Sequence, residues 1–324
     1  MFLSIIIPVY NLPKELLKNC IDSIEALKAA IGSYEIIVVD DGSAEPPVWV
    51  EQEYQESPIQ LLTKPHAGPG AARNHGIEAA KGRYLLFVDS DDTLVNGNAM
   101  QQCISILQHE IPDILRFKYT SHTIVARKRR ATFSNTTSGA LFMLENNLPG
   151  SACTFFIKRE LLINKNIRFS TNIYHEDEEF STIAHYHAKT LINSNAVLYC
   201  YQRREGSITT CQDKTAKEKR LNDRLRILDK LVAFRQAHKK NSNSIQARAM
   251  QRKLATLAAD AIINYIQDGK TSAETHAMCT ERLAPHGLYP ITGNYSIKYK
   301  IFSRLANSLT GIKILRLIIP TRSR

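Results

Sequence analysis

The feature that most constrains this chain is a run of continuous apolar strands alternating with helices over about its first ninety residues. LSIIIPVY (3–10) is an unbroken apolar, β-branched run, and YEIIVVDDGS (34–43), IQLLTK (59–64) and RYLLFVDSDD (83–92) follow it. Runs of this kind belong to strands covered on both faces. Between them, residues 14–29 place Leu16, Leu17, Cys20, Ile21, Ile24 and Leu27 at helical spacing, and GAARNHGIEAAKG (70–82) predicts a helix closed by Gly82. Such alternation predicts a parallel sheet whose ligand crevice lies outside the carboxyl ends of the strands. Tyr10, Asp40, Asp41 and Asp89 to Asp92 then share one rim.

Beyond Leu94 the pattern loosens. ILRFKYTSHTIV (114–125) predicts a strand followed by a basic loop, ARKRRATFS, residues 138–148 and 176–188 predict helices, and AVLYCYQRR (196–204) predicts a strand. From about Lys214 the chain turns helical and basic, with NSNS (241–244) a break between two helices. The net charge of +11 is uneven: residues 201–324 hold 24 Lys and Arg against 9 Asp and Glu, and residues 1–200 hold 18 against 22. The six cysteines form no CxxC pair, which argues against a zinc site or a disulfide framework and for small core residues in a reducing compartment. MFLSIIIPVYN has no basic leader, and Pro8 cuts its apolar run short of a membrane span, so a cytoplasmic location is expected.

Asp89, Asp91 and Asp92 at the end of YLLFVDSDDTL have two readings. Asp is favoured in solvated turns and at helix N-caps. Alternatively, an Asp-x-Asp at a strand end lets carboxylates share a hard divalent cation that keeps substrate phosphates in its shell, which also answers their mutual repulsion. Asp40-Asp41-Gly42-Ser43 repeats the arrangement on the neighbouring strand, where a carboxylate could accept from a nucleoside ring N–H or ribose hydroxyls. HAGPGAARNHG (66–76) sets glycines before a helix N-terminus, where free N–H groups favour phosphate. It is neither a Walker A loop nor GxGxxG. HEDEEF (175–180), taken alone, reads as an exposed acidic helix start; His175, His185 and His187 fit no HExxH pattern and read as ordinary histidines.

Together SIIIPVYN (4–11), DDGS (40–43), GPGAARNHG (68–76) and FVDSDDTL (87–94) resemble the successive motifs of family 2 inverting glycosyltransferases, and HEDEEF and YQRREGSI (201–208) resemble that family's later acidic and Arg-Ser segments. The resemblance implies a GT-A fold, an α/β architecture with a mostly parallel, Rossmann-like sheet flanked by helices, here followed by a helical basic C-terminal extension. It implies a nucleotide-sugar-binding half over residues 1–96 and an acceptor-binding half over 97–212; the basic helical region over 213–324 lies beyond the resemblance and is read from composition. By the same resemblance Pro8, Tyr10 and Asp40 hold the nucleobase and ribose, Asp41 belongs to the nucleotide and donor site, and Arg73 and Arg204 sit near the nucleotide or diphosphate. Asp89 touches the ribose or a metal-bound water, Asp91 binds Mn²⁺ or Mg²⁺ with Asp89, and Ser90 and Asp92 line the donor side. Asp177 is the general base, with Glu176 the alternative. His66 and Pro69 stand where the family often has Asn and Ser, which puts the donor loop's local geometry in question.

The chemistry has the same needs without the family. Moving a sugar from a nucleotide diphosphate requires charge stabilisation at the leaving group and removal of the acceptor's proton. One base without a protein nucleophile predicts a single displacement and inversion. The resemblance adds the expected activity, hexosyl or N-acetylhexosaminyl transfer from a UDP-sugar to a glycan or lipid-linked acceptor in surface polysaccharide biosynthesis. A sugar-nucleotide nucleotidyltransferase is the competing enzyme, but PVYNLPKE replaces the Gly-rich basic loop it needs after the first strand; a non-catalytic nucleotide-binding scaffold is disfavoured because every acidic element is present. IKYKIFSRLANSLTGIKILRLIIP (297–320) fits either a peripheral contact with the anionic inner face of the cell membrane or a helix packed on the protein. No nucleic-acid module is visible. Nothing in the sequence sets the oligomeric state.

Overall fold

The computed structural model describes residues 1–121, 130–202, 213–238, 243–293 and 295–321. In chain order, β1 (Leu3–Val9) leads into α1 (Lys14–Glu25) and the short α2 (Lys28–Ile31), then β2 (Tyr34–Asp40), α3 (Trp49–Glu53), β3 (Ile59–Thr63), α4 (Pro69–Ala79), β4 (Tyr84–Phe87) and β5 (Thr93–Leu94). There follow α5 (Gly97–His109), β6 (Ile114–Thr120), α6 (Gly139–Glu145), β7 (Phe155–Lys158), α7 (Arg159–Asn164), α8 (Glu176–His187) and β8 (Leu191–Cys200). The remaining helices are α9 (Lys214–Ala237), α10 (Ile245–Gln267), α11 (Ser272–Met278), α12 (Ile297–Ala306) and α13 (Leu309–Ile318).

The eight strands form one mixed sheet in the order β3-β2-β1-β4-β7-β6-β8-β5. Its first four strands are parallel, as the apolar runs predict, and β1 and β2 are buried at every residue. Pro8 sits in a central strand without breaking a ladder, because pairing with β4 ends at Ile6. Beyond β4 the direction changes: β7 is antiparallel to both β4 and β6, and β5 is antiparallel to β8. The architecture is GT-A-like, α/β with flanking helices and further helices at the C-terminal end.

Several elements depart from expectation. The helix expected over 14–29 stops at Glu25 and resumes as α2. The helix α5, with Ala99, Met100, Cys103, Ile104 and Leu107 buried at helical spacing, and the pair β7 and α7 were not foreseen.

Two compact units divide the chain. One is Met1–Phe142 with Pro149–Arg204; the other is Met143–Leu148 with Glu205–Arg324. The core of the first joins the sheet to its helices, with Phe169 stacked on Phe180 at 3.8 Å and both meeting Phe87 edge-on. In the second, α9 buries Leu221, Leu225, Leu228 and Leu231, and α10 buries Met250, Leu254, Ile262 and Ile266. Side-chain caps from Asp213, Ser244, Thr271, Ser296 and Ser308 satisfy the first turns of α9 to α13. The described cysteines are buried.

Candidate active site

The rim forms where the parallel strands end. Val9 pairs with Asp40 in register, and beyond them Asn11, at φ 43°, donates its N–H to Ser43 Oγ (2.8 Å) while its Oδ1 accepts from Ala44 N–H (2.9 Å). This bracket joins the two strand ends. Pro8 is buried, whereas Tyr10 stands 46% exposed with its ring stacked on His66 at 4.1 Å. The Asp40 carboxylate accepts from Ser43 N–H at 3.2 Å. Asp41 is enclosed: Lys64 Nζ (2.6 Å), His66 Nδ1 (2.8 Å) and the N–H groups of Ala67 and Gly68 (3.1 and 2.7 Å) surround its oxygens. Gly42, at φ 77°, lets the two loops approach, since a Cβ there would stand 2.8 Å from His66 N. Asp41 thus shapes the loop over residues 64–68 from inside.

The three acids after β4 separate by environment. A turn closes through Asp92 N–H to Asp89 O (3.0 Å), and Ser90 within it is buried. Asp92 is 1% exposed; its Oδ2 accepts from Tyr199 O–H at 2.5 Å and its Oδ1 from Gln202 N–H at 2.7 Å. Burial nevertheless pushes its carboxyl up to about 7, with the Asp89 and Asp91 charges adding and the two donors opposing. Tyr199 also accepts from Asp89 N–H at 3.2 Å, so one phenol braces both ends of the turn. Asp89 and Asp91 keep partial exposure.

The described residues include no group of three or more His, Cys, Asp or Glu side chains placed to hold a metal ion. Two partly exposed carboxylates at alternate positions instead fit a hard octahedral cation that retains water and substrate phosphate oxygens, the usual habit of Mg²⁺. Asp92, committed to Tyr199 and Gln202, is no part of that set.

Arg73 links this turn to α8. Its Nη2 donates to Asp89 Oδ1 (2.7 Å) and its Nη1 to Glu176 Oε1 (2.6 Å), with the guanidinium 5.3 Å from the Phe169 ring centroid. Burial opposes the charge, but the Asp89 and Glu176 carboxylates hold it firmly ionised. Its buried Nε has no hydrogen-bond partner. Gly70 permits the approach, because a Cβ there would lie 2.3 Å from Ser170 O and 3.1 Å from Glu176 Cγ. Asn74 fixes the same segment by exchanging hydrogen bonds with the Phe169 backbone, both at 2.8 Å.

The chain enters α8 through His175, at φ 64°, which turns Glu176 inward beside Arg73. Asp177 follows it. Burial first, and the Glu176 charge second, push the Asp177 carboxyl well above the ordinary range, with Arg73 opposing. A carboxyl so disposed is a stronger proton acceptor than a solvated one. His185 belongs to the core: its Nδ1 faces Ser181 O at 2.7 Å, which leaves Nε2 to accept from Arg116 at 2.9 Å.

The structure therefore brings Asp89, Arg73, Glu176 and Asp177 together, with Asp91, Ser90 and Asp92 on the adjoining turn and Tyr10, Asp40 and Asp41 along the rim. Arg204 lies outside the described residues. Sequence reading missed Tyr199, Gln202, Asn11 and Asn74 as organisers. Asn11 stood within the SIIIPVYN motif, but Tyr199 is 107 residues from its partner Asp92 and gave no local signal.

The chain is similar to known proteins in sequence and in fold. Residues 4–164 match the family described as Glycosyl transferase family 2. The chain is 28% identical over 230 residues to "Uncharacterized glycosyltransferase EpsJ" of Bacillus subtilis (strain 168), across 67% of this chain and 66% of that protein. It is 30% identical over 215 residues to "Poly(ribitol-phosphate) beta-glucosyltransferase" of Bacillus spizizenii, across 64% of this chain and 33% of that protein. Its fold resembles the crystal structure of S. aureus TarS 1-349 in complex with UDP-GlcNAc, with TM-score 0.63, 18% identity, and coverage of 98% of this chain and 90% of that one.

Proposed function

The chain is a family 2 glycosyltransferase, its family domain running over residues 4–164, and from that premise we propose that it transfers a sugar, with inversion, from a UDP-sugar to a hydroxyl of a glycan or lipid-linked acceptor in surface polysaccharide biosynthesis. The observation that carries this reading is the Arg73 bridge, which sets the acidic turn beside the raised carboxyl of Asp177. The UDP-GlcNAc bound in the structurally similar protein supports UDP as the nucleotide, and the relative named as a beta-glucosyltransferase supports β-linked products.

In this mechanism Tyr10 and Asp40 receive the nucleoside, and Asp41 holds the loop that faces it. A divalent cation, Mn²⁺ or Mg²⁺, held by Asp91 with Asp89, supplies charge neutralisation at the diphosphate. Asp177 takes the proton of the acceptor hydroxyl as its oxygen bonds to the anomeric carbon; the bond from that carbon to the β-phosphate oxygen breaks, and the pair of electrons leaves with UDP. Glu176 keeps Arg73 in place, and Arg73 keeps Asp89 aimed at the donor. Residues 1–96 supply the donor half and 97–212 the acceptor half, and the enzyme works in the cytoplasm, peripheral to the inner face of the membrane.

Calorimetric titration with UDP and Mn²⁺, paired with a transfer assay over a panel of UDP-sugars, tests the assignment. Asp91→Ala is expected to weaken metal-supported UDP binding, while Asp177→Asn keeps binding and loses transfer. Undiminished turnover in Asp177→Asn would remove the base from this position.

A further inference from the structure

Six of the twelve exposed large hydrophobic side chains among the described residues fall within residues 297–318. On α12, Ile297 is 81% exposed and Ile301 57%; on α13, Leu317 is 88% exposed and Ile318 66%. Ile297, Ile301 and Arg304 follow at i, i+4 and i+7, and Ile314, Leu317 and Ile318 at i, i+3 and i+4, so each set shares one side of its helix. The opposite sides are buried through Ser303, Ala306, Ile312 and Leu315. The helices are locked at close range, because a Cβ on Gly311 would stand 2.0 Å from Leu305 O. The exposed apolar residues are thus held outward by a packed pair.

Charge identifies what covers them. Lys298, Lys300, Arg304, Lys313 and Arg316 are exposed among these residues, and no Asp or Glu follows Glu281 in the sequence. Arg316 lies near enough to Glu274 to favour its ionised form, after the Thr271 hydrogen bonds. A two-fold contact with a second copy would press like charges together. We propose that this face of α12 and α13 lies on an anionic lipid bilayer, with its Ile and Leu side chains among the upper acyl chains and its Lys and Arg at headgroup phosphates. No helix among the described residues is long and apolar enough to cross a membrane, and none is needed for contact of this kind.

Flotation of the full chain with phosphatidylcholine vesicles, with and without phosphatidylglycerol, tests the assignment independently of the transfer chemistry. Binding is expected only with phosphatidylglycerol present and is expected to weaken with salt. Two double variants, Ile301→Ser with Leu317→Ser and Lys300→Glu with Lys313→Glu, should each lower the bound fraction roughly tenfold or more. Thermal melting, expected to be unchanged because all four residues are exposed, checks that the variants fold. Equal flotation by the variants, or none by the parent chain, would overturn the proposal. Absence of lipid binding together with a light-scattering dimer that the same variants dissolve would give the face to a second copy instead.

Discussion

Asp92 pays for its position with its charge. Its folded-state pKa of about 7 exceeds the value of about 3.9 in an unfolded chain, so between those pH values the folded protein binds a proton that the unfolded chain has released. Its contribution to stability is therefore fully present below the unfolded pKa and is lost as pH rises through about 7. Asn at this position could still accept from Gln202 N–H and would carry no charge to desolvate. Asp92→Asn is predicted to melt progressively higher than the parent as pH is raised from about 5 to about 8 in metal-free buffer, with a ceiling of about 4 kcal/mol at ~1.4 kcal/mol per pKa unit. A difference that does not change with pH would mean that Asp92 is ionised in the folded protein throughout. The strand-end rule was enough to find these acids in the sequence. It could not rank them, because ranking depends on Tyr199 for Asp92 and on Lys64 to Gly68 for Asp41, partners brought in by the tertiary fold.

The meeting of α4 with the start of α8 is an element-scale device, made by Gly70 and held by Arg73. Gly70→Ala is predicted to cost about 1–3 kcal/mol in chemical denaturation, because its methyl group meets backbone that can yield only by parting the two segments. Arg73 acts on Asp177 through charge as well as position. Asp177 must be ionised to accept a proton, so transfer is predicted to fall as pH drops below its raised pKa. Arg73→Gln removes the cation that opposes the rise and should move this acid limb of kcat/KM to higher pH. Arg73→Lys keeps a charge but cannot donate to both carboxylates from a planar fork; it should leave the limb nearly in place while losing roughly 10²-fold in kcat. An unmoved limb in Arg73→Gln would detach Asp177 from Arg73. Of the elements themselves, β1, β2, β4 and α4 were legible from apolar runs and a Gly-Pro start. The buried set of α5 also follows helical spacing and was open to the same reading, whereas β7, four residues long, is too short for period to separate strand from helix.

Across the whole molecule, β1 to β4 and the strands β6 and β8 could be read in advance, but the way the second half of the sheet pairs could not. The parallel direction of β1 to β4 follows from strands alternating with helices, but β7-β6-β8-β5 reverses direction through strands distant in sequence, and it is this second half that delivers Tyr199 and, through the chain leading into α8, Asp177. The completed fold also bears on stereochemistry. A double displacement needs a carboxylate free to attack the anomeric carbon and a second group to exchange protons. Around this site Asp41 is enclosed by Lys64 and His66, Asp92 by Tyr199 and Gln202, and Glu176 and Asp89 by Arg73; Asp177 is the one of these five carboxyls with no hydrogen-bond donor among the described residues. One unengaged base supports direct attack by the acceptor oxygen on the face opposite the departing diphosphate. With an α-linked UDP-sugar, proton NMR of the first product formed, recorded before any equilibration, is therefore predicted to show a β linkage through its large anomeric coupling. An α-linked first product would mean retention, through a covalent sugar intermediate or attack on the face that the diphosphate leaves, and would remove the in-line base role from Asp177.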